Sequence, residues 1–272
     1  ICEAMKRILL LMIAVFVSVQ SHAQDDSYPY EFNWKKDAYV SAIGLGLIGG
    51  GGYMYLNKSG LSLAQVNDLS IYDINAFDRG ATDRWSPTAA NISDGFMIGA
   101  LALPFTMFAF KSAQENWLGL GLMYVEVGLI TVGVTELTKG LSKRVRPYAY
   151  NPEAPLDTRL GKDARSSFFS GHTSLAASMS FLTAKVFHDL SDNNTAKALV
   201  WTAAALIPAA TGYLRYHSGK HFPTDIIAGY VVGGAIGYLV PFLHKKKLTN
   251  ENLSLMPVAG PDNLGLYVSY RW

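Results

Sequence analysis

Between Ile226 and Leu243 the chain reads IIAGYVVGGAIGYLVPFL, eighteen consecutive residues without a charged side chain. A helix of that length rises about 27 Å, close to the hydrocarbon thickness of a bilayer. A helix that is apolar on every face either crosses a membrane or fills the centre of a large core. The choice between the two then rests on how often the pattern recurs.

It recurs at residues 95–110, 117–138, 174–187 and 196–214. A further stretch at 38–56 is long enough to cross but carries six glycines, which weaken it as a helix. The expected fold is therefore all-α, a membrane-embedded bundle of five to six spans. Half of the residues are hydrophobic and 16% are charged, which agrees. A mean hydropathy of +0.15 is low for such a chain, and Lys185 near the end of 174–187 suits either an interfacial position or a soluble bundle. In the tail, Leu264, Leu266, Val268, Tyr270 and Trp272 alternate after a Gly260-Pro261-Asp262-Asn263 turn, the pattern of a β-hairpin.

From Met5 the sequence MKRILLLMIAVFVSVQSHAQ has a basic start, an apolar centre and small residues at Ser21 and Ala23. That is the layout of a secretory signal, with an uncleaved anchor as its alternative. The expected organisation is a signal peptide with an upstream extension over 1–23 and an N-terminal segment over 24–93, made of the glycine-rich stretch and a polar connector. A helical core follows over 94–247 and a hairpin over 248–272. The single cysteine, Cys2, excludes an intramolecular disulfide and a cysteine metal cluster. A net charge of +2 gives no footprint for nucleic acid, but Lys139, Lys143, Arg144 and Arg146 concentrate positive charge at one place.

Polar residues that belong to no helix face gather in three clusters. The first is KGLSKRVRP from Lys139, ending one apolar segment. The second is Ser170-Gly171-His172, opening the next. The third is LRYHSGKHFPTD from Leu214, one hairpin later, so all three fall at the same end of the bundle. Each has a plain explanation: basic residues anchor helices in headgroups, Ser170 caps a helix, and Pro223 and Asp225 suit a first helical turn. Together they match the needs of phosphoryl transfer.

Lys139, Arg146 and Arg215 supply cations for phosphate oxygens. Ser170 and Gly171 bring main-chain donors close at a helix start. His221 can act as the nucleophile, with Asp225 folding back to hold one of its nitrogens, and His172 can protonate the leaving oxygen. Metal ligation by these two histidines is the rival reading, disfavoured by the surrounding cations. No metal and no other cofactor is expected at this site.

The three clusters resemble the motifs of the type 2 phosphatidic acid phosphatase superfamily, which includes bacterial class A acid phosphatases and vanadium haloperoxidases. Lys139, six residues and Arg146-Pro147 match its first motif in full. Phe169-Ser170-Gly171-His172 matches the second with phenylalanine for proline, and Leu214-Arg215, His221 and Asp225 match the third with leucine for serine. The resemblance implies that Lys139, Arg146, Ser170, Gly171 and Arg215 bind phosphate, His172 is the general acid, His221 the nucleophile and Asp225 its orienting group.

The expected activity is a phosphoric monoester or diphosphate hydrolase acting on a lipid phosphate. It would work without a metal, among membrane lipids, in a bacterial inner membrane with its site facing the periplasm. The alternatives are a soluble periplasmic acid phosphatase of the same superfamily and a non-enzymatic lipid carrier or scaffold. Lys245, Lys246 and Lys247 after the last span set this orientation by the positive-inside rule. A cleaved signal then requires that 38–56 be a re-entrant or interfacial segment.

Overall fold

The computed structural model describes residues 28–246, together with the backbone of two strands, Leu253–Ala259 and Leu264–Tyr270. The signal segment and its cleavage point lie outside the described residues. The body is all-α. Its nine described helices are α1 (Trp34–Leu56), α2 (Leu63–Asn67), α3 (Pro87–Ala102), α4 (Lys111–Glu115), α5 (Trp117–Ser142), α6 (Leu156–Leu160), α7 (Gly171–Leu190), α8 (Asn194–His217) and α9 (Pro223–Leu243). The two strands pair antiparallel, with Leu253 opposite Tyr270 and Ala259 opposite Leu264.

Among the described residues, three segments are long and apolar enough to cross a membrane: Pro87–Ala109, Trp117–Ala149 and Pro223–Leu243. The helix starts follow local chemistry. Ser86 caps α3 ahead of Pro87, with its Oγ accepting from the Ala89 amide, and Ser170 Oγ and Asn193 Oδ1 cap α7 and α8 in the same way. At the end of α5, Lys143 adopts a left-handed conformation (φ 46°), which stops the helix and turns the chain toward Arg146.

Close backbone approach sets the packing. A Cβ placed on Gly229, Gly233 or Gly237 of α9 would lie 2.6, 2.1 and 2.1 Å from the carbonyl oxygens of Ser170, Ser174 and Ser178 on α7. Glycine on one helix and serine on the other, both spaced by four, let these two backbones nearly touch. Two of the six glycines of 38–56 serve the same purpose. Hypothetical Cβ atoms on Gly44 and Gly51 strike Leu129 and Glu136 of α5, while those on Gly133 and Gly140 strike Leu47 and Met54 of α1.

The two sets of numbers rise together, so α1 and α5 run parallel. The glycine-rich stretch is one continuous helix of 23 residues, without the break a re-entrant segment would need. Close packing against α5 compensates for the poor helix propensity of its glycines.

The parallel pair fixes the ends of the bundle. α1 and α5 run toward the end that carries Lys139, α3 and α7 run away from it, α8 returns to it and α9 leaves again. A core of Met123, Val127, Met179, Leu182, Val186 and Val240 packs α5, α7 and α9 together. The 57–86 connector lies over the Lys139 end, where Leu61 and Val66 pack with Tyr148, Ala149 and Ala164.

Candidate active site

His221 sits in the turn between α8 and α9 and is 1% exposed. Gly219 makes the turn possible: its φ is +70°, and a Cβ there would lie 2.0 Å from the Arg84 carbonyl oxygen. His221 Nδ1 lies 2.7 Å from the Ser167 carbonyl oxygen. A carbonyl only accepts, so Nδ1 carries the hydrogen and Nε2 keeps a lone pair in the neutral ring. That Nε2 is 3.1 Å from Arg146 Nη1, which donates to it.

Asp225 was expected to hold this imidazole directly. Its Oδ2 is 3.7 Å from His221 Nδ1, beyond hydrogen-bond reach. Oδ2 accepts instead from Ser167 Oγ at 2.5 Å and from the Phe222 amide at 3.0 Å. Oδ1 accepts from Arg144 Nη1 at 2.5 Å. As the third residue of α9, Asp225 is drawn back to the free amide at the helix start, and there it clamps Ser167. The imidazole is thus held at one remove, through the carbonyl of the residue that Asp225 fixes.

Arg146 is 4% exposed and is held from two sides. Its Nε donates to the Asp163 carbonyl at 2.9 Å, Nη2 to Asp163 Oδ1 at 2.8 Å, and Nη1 to the Lys220 carbonyl at 3.1 Å. Lys139 Nζ is 3.0 Å from Glu136 Oε1. A Cβ on Gly171 would come within 3.2 Å of that ammonium, so the main chain at the start of α7 lies directly beside Lys139. The Ser170 amide donates to the Asp225 carbonyl at 3.0 Å, joining the starts of α7 and α9.

On the other side, His172 Nε2 is 2.7 Å from Asp94 Oδ1. Arg215 Nη1 reaches the same oxygen at 3.3 Å and Ser93 Oγ at 3.1 Å, while its buried Nε has no partner. Burial, then Arg146, Arg215 and Lys139, hold the His221 pKa well below the usual 6.5. His172, ahead of the apolar stretch 174–187, is also lowered, first by burial and then by Arg215, against the raising effect of Asp94. All eight residues singled out in the sequence therefore meet at one end of the bundle, where the cations act on both imidazoles.

Sequence reasoning missed Asp94, Ser93, Asp163, Ser167 and Asp78, and it named Arg144 only as one charge of the basic cluster. Asp78 is buried; its Oδ2 accepts from Arg144 Nη2 at 2.7 Å and from Thr224 Oγ1 at 2.6 Å, tying the connector to the start of α9. Asp94, just ahead of an apolar run, carried the one available signal: an acidic residue with no neighbouring base in the chain.

The PAP2 superfamily pattern matches residues 116–248. The chain is 28% identical over 148 residues to the Lipid A 4'-phosphatase of Porphyromonas gingivalis, covering 53% of this chain and 59% of that protein. It is 32% identical over 174 residues to a PA-phosphatase related-family protein of Dictyostelium discoideum, covering 58% of this chain and 62% of that protein. The chain thus spans about three fifths of the length of these curated relatives. No solved structure matches it.

Proposed function

We propose that this chain, whose residues 116–248 belong to the PAP2 superfamily, is a membrane phosphatase that hydrolyses a lipid phosphate or pyrophosphate through a phosphohistidine intermediate. One observation carries the reading: a buried neutral imidazole whose bare nitrogen meets a guanidinium, among three cations that are each held by one carboxylate.

In this mechanism Lys139, Arg146, Arg215, Ser170 and the main chain at Gly171 bind the phosphoryl oxygens. His221 Nε2 attacks phosphorus, and an N–P bond forms as the P–O bond to the lipid breaks. His172, protonated and held by Asp94, gives its proton to the leaving oxygen. Water then attacks the phosphohistidine, His172 takes up its proton, and inorganic phosphate leaves with His221 neutral again. Asp225 acts through Ser167 as a positioning group. The charge stabilisation comes from these fixed cations, and no step in the scheme calls on a metal.

The substrate class follows from the setting. The site lies at the end of a bundle with three membrane-length apolar segments, within reach of a headgroup phosphate. A lipid A phosphate is favoured by the Porphyromonas gingivalis relative, with undecaprenyl pyrophosphate, phosphatidylglycerophosphate and phosphatidic acid as further candidates. Five to six spans in a bacterial inner membrane, with the site on the periplasmic side, complete the proposal. The same features disfavour a soluble acid phosphatase, and the filled catalytic positions disfavour a lipid carrier.

The test is phosphate release by the purified chain from a panel of lipid phosphates. Wild type is expected to turn over at least one and to be blocked by vanadate. His221→Ala is expected to lose turnover while unfolding at the same temperature. Phosphate release that survives in His221→Ala would refute the nucleophile, and lipid binding without release by wild type would favour the carrier.

A further inference from the structure

At the far end of the bundle, three titratable side chains from three helices meet. Asp37 lies in the first turn of α1, Glu126 in α5, and His244 directly after α9; they are 0, 0 and 1% exposed. His244 Nε2 is 3.2 Å from Asp37 Oδ1 and 3.2 Å from Glu126 Oε2. Lys139 follows Glu126 by thirteen residues, so about 20 Å of helix separates this cluster from the candidate active site.

Protonation makes the cluster unusual. His244 Nδ1 lies 2.8 Å from the Val240 carbonyl oxygen, so Nδ1 carries a hydrogen, and Nε2 faces Asp37 Oδ1 and Glu126 Oε2, as a second N–H donor in the imidazolium or as a lone pair in the neutral ring. Asp37 Oδ2 and both Glu126 oxygens are buried without a hydrogen-bond partner. A proton on Nε2 would set one positive charge against two negative ones, while the Lys36 ammonium beside Asp37 in the chain donates to the Leu243 carbonyl at 3.0 Å. Buried acceptors left in this state are costly.

A dication resolves both problems. Two ligand atoms on a tetrahedral ion, each at about 2.0–2.1 Å, stand about 3.3 Å apart. The two measured separations of 3.2 Å fit this spacing, and all three ligand atoms lie within 4.8 Å of one another. An imidazole that donates its distal N–H to a backbone carbonyl is also the usual state of a metal-bound histidine. We infer that Asp37, Glu126 and His244 form a structural site for a divalent transition cation of the zinc class. It would clamp α1, which lies outside the family match, to α5 and α9. The inference is independent of the proposed phosphatase chemistry.

The test uses the full chain, purified in detergent, stripped with chelator and titrated with Zn²⁺. Wild type is expected to bind about one equivalent per chain and to unfold several degrees higher with the ion than without it. Co²⁺ in its place is expected to give the visible bands of a four-coordinate N/O site. Glu126→Gln keeps the side-chain shape and removes a charge, so it is expected to fold but to lose the tight site, the thermal shift and the bands; Asp37→Asn is expected to do the same. Stripped wild type that takes up no Zn²⁺ would overturn the site. So would a Zn²⁺ response in Glu126→Gln equal to that of wild type, or a wild-type stability indifferent to the ion.

Discussion

Asp94 shows what a single carboxylate can decide. It shares one oxygen between His172 and Arg215, so it raises the basicity of the proposed acid while holding a phosphate-binding cation. In the free protein, turnover requires neutral His221 and protonated His172. His221 titrates well below 6.5, so it is neutral at pH 7 and stays so into mildly acidic solution. His172 is also lowered, so its protonated fraction falls as pH rises from the acidic side. The profile of kcat/KM is therefore expected to peak below neutrality. Bound phosphate adds negative charge beside His172, so the basic limb of kcat should lie at higher pH than that of kcat/KM.

Asp94→Asn removes the one group that raises His172, which should move the basic limb of kcat/KM further down. It should also lower kcat on an alkyl phosphate about 10- to 100-fold, and less on an activated aryl phosphate, whose leaving group needs little protonation. A profile unmoved by the substitution would leave Asp94 a purely structural partner. The eight motif residues were legible because their spacing is local. Asp94 and Asp163 were not, since each meets its partner only after a loop or a helix folds back.

Among the elements, the α7–α9 pair carries the most consequence for the site, because Ser170 and Asp225 lie at its adjoining ends. Gly233→Val would force a side chain into the Ser174 carbonyl, where a Cβ alone already stands 2.1 Å away. The helices must separate, at a cost of about 1–3 kcal/mol or more, and the Ser170–Asp225 main-chain bond must stretch. A lower unfolding midpoint with a disproportionate loss of kcat is expected, whereas Gly46→Ala on α1, where a Cβ meets nothing within 4 Å, should change neither. Equal behaviour of the two variants would show that the close approach is not limiting. Helix positions were readable from apolar runs, since length and composition are local properties. The role of the glycines was not, because propensity and close packing make opposite demands on the same residue, and only the neighbouring helix shows which one prevails.

For the whole molecule, the parallel course of α1 and α5 determines which loops share a side. The 57–86 connector and the 143–170 segment lie at the His221 end. The start of α1 lies at the other end, where the Glu31 amide donates to the His244 carbonyl at 2.8 Å and Tyr30 bridges to Lys245. The loop between α7 and α8 joins it there, because Lys245 Nζ is 2.7 Å from Asp189 Oδ1. If α5 crosses the membrane, α1 beside it crosses as well, about 34 Å of helix in the same direction. The polar groups then divide into two sets, and the proposed orientation puts the Lys245 set in the cytoplasm by the positive-inside rule. In a Cys2→Ser background, cysteines at the exposed positions Asn67 and Asp157 are expected to react with a membrane-impermeant thiol reagent in intact spheroplasts. Cysteines at exposed Lys35 and Asp192 are expected to react only after permeabilisation. Labelling of Lys35 together with Asn67 would mean that α1 does not cross beside α5, and labelling of Lys35 and Asp192 alone would turn the site toward a cytoplasmic lipid phosphate.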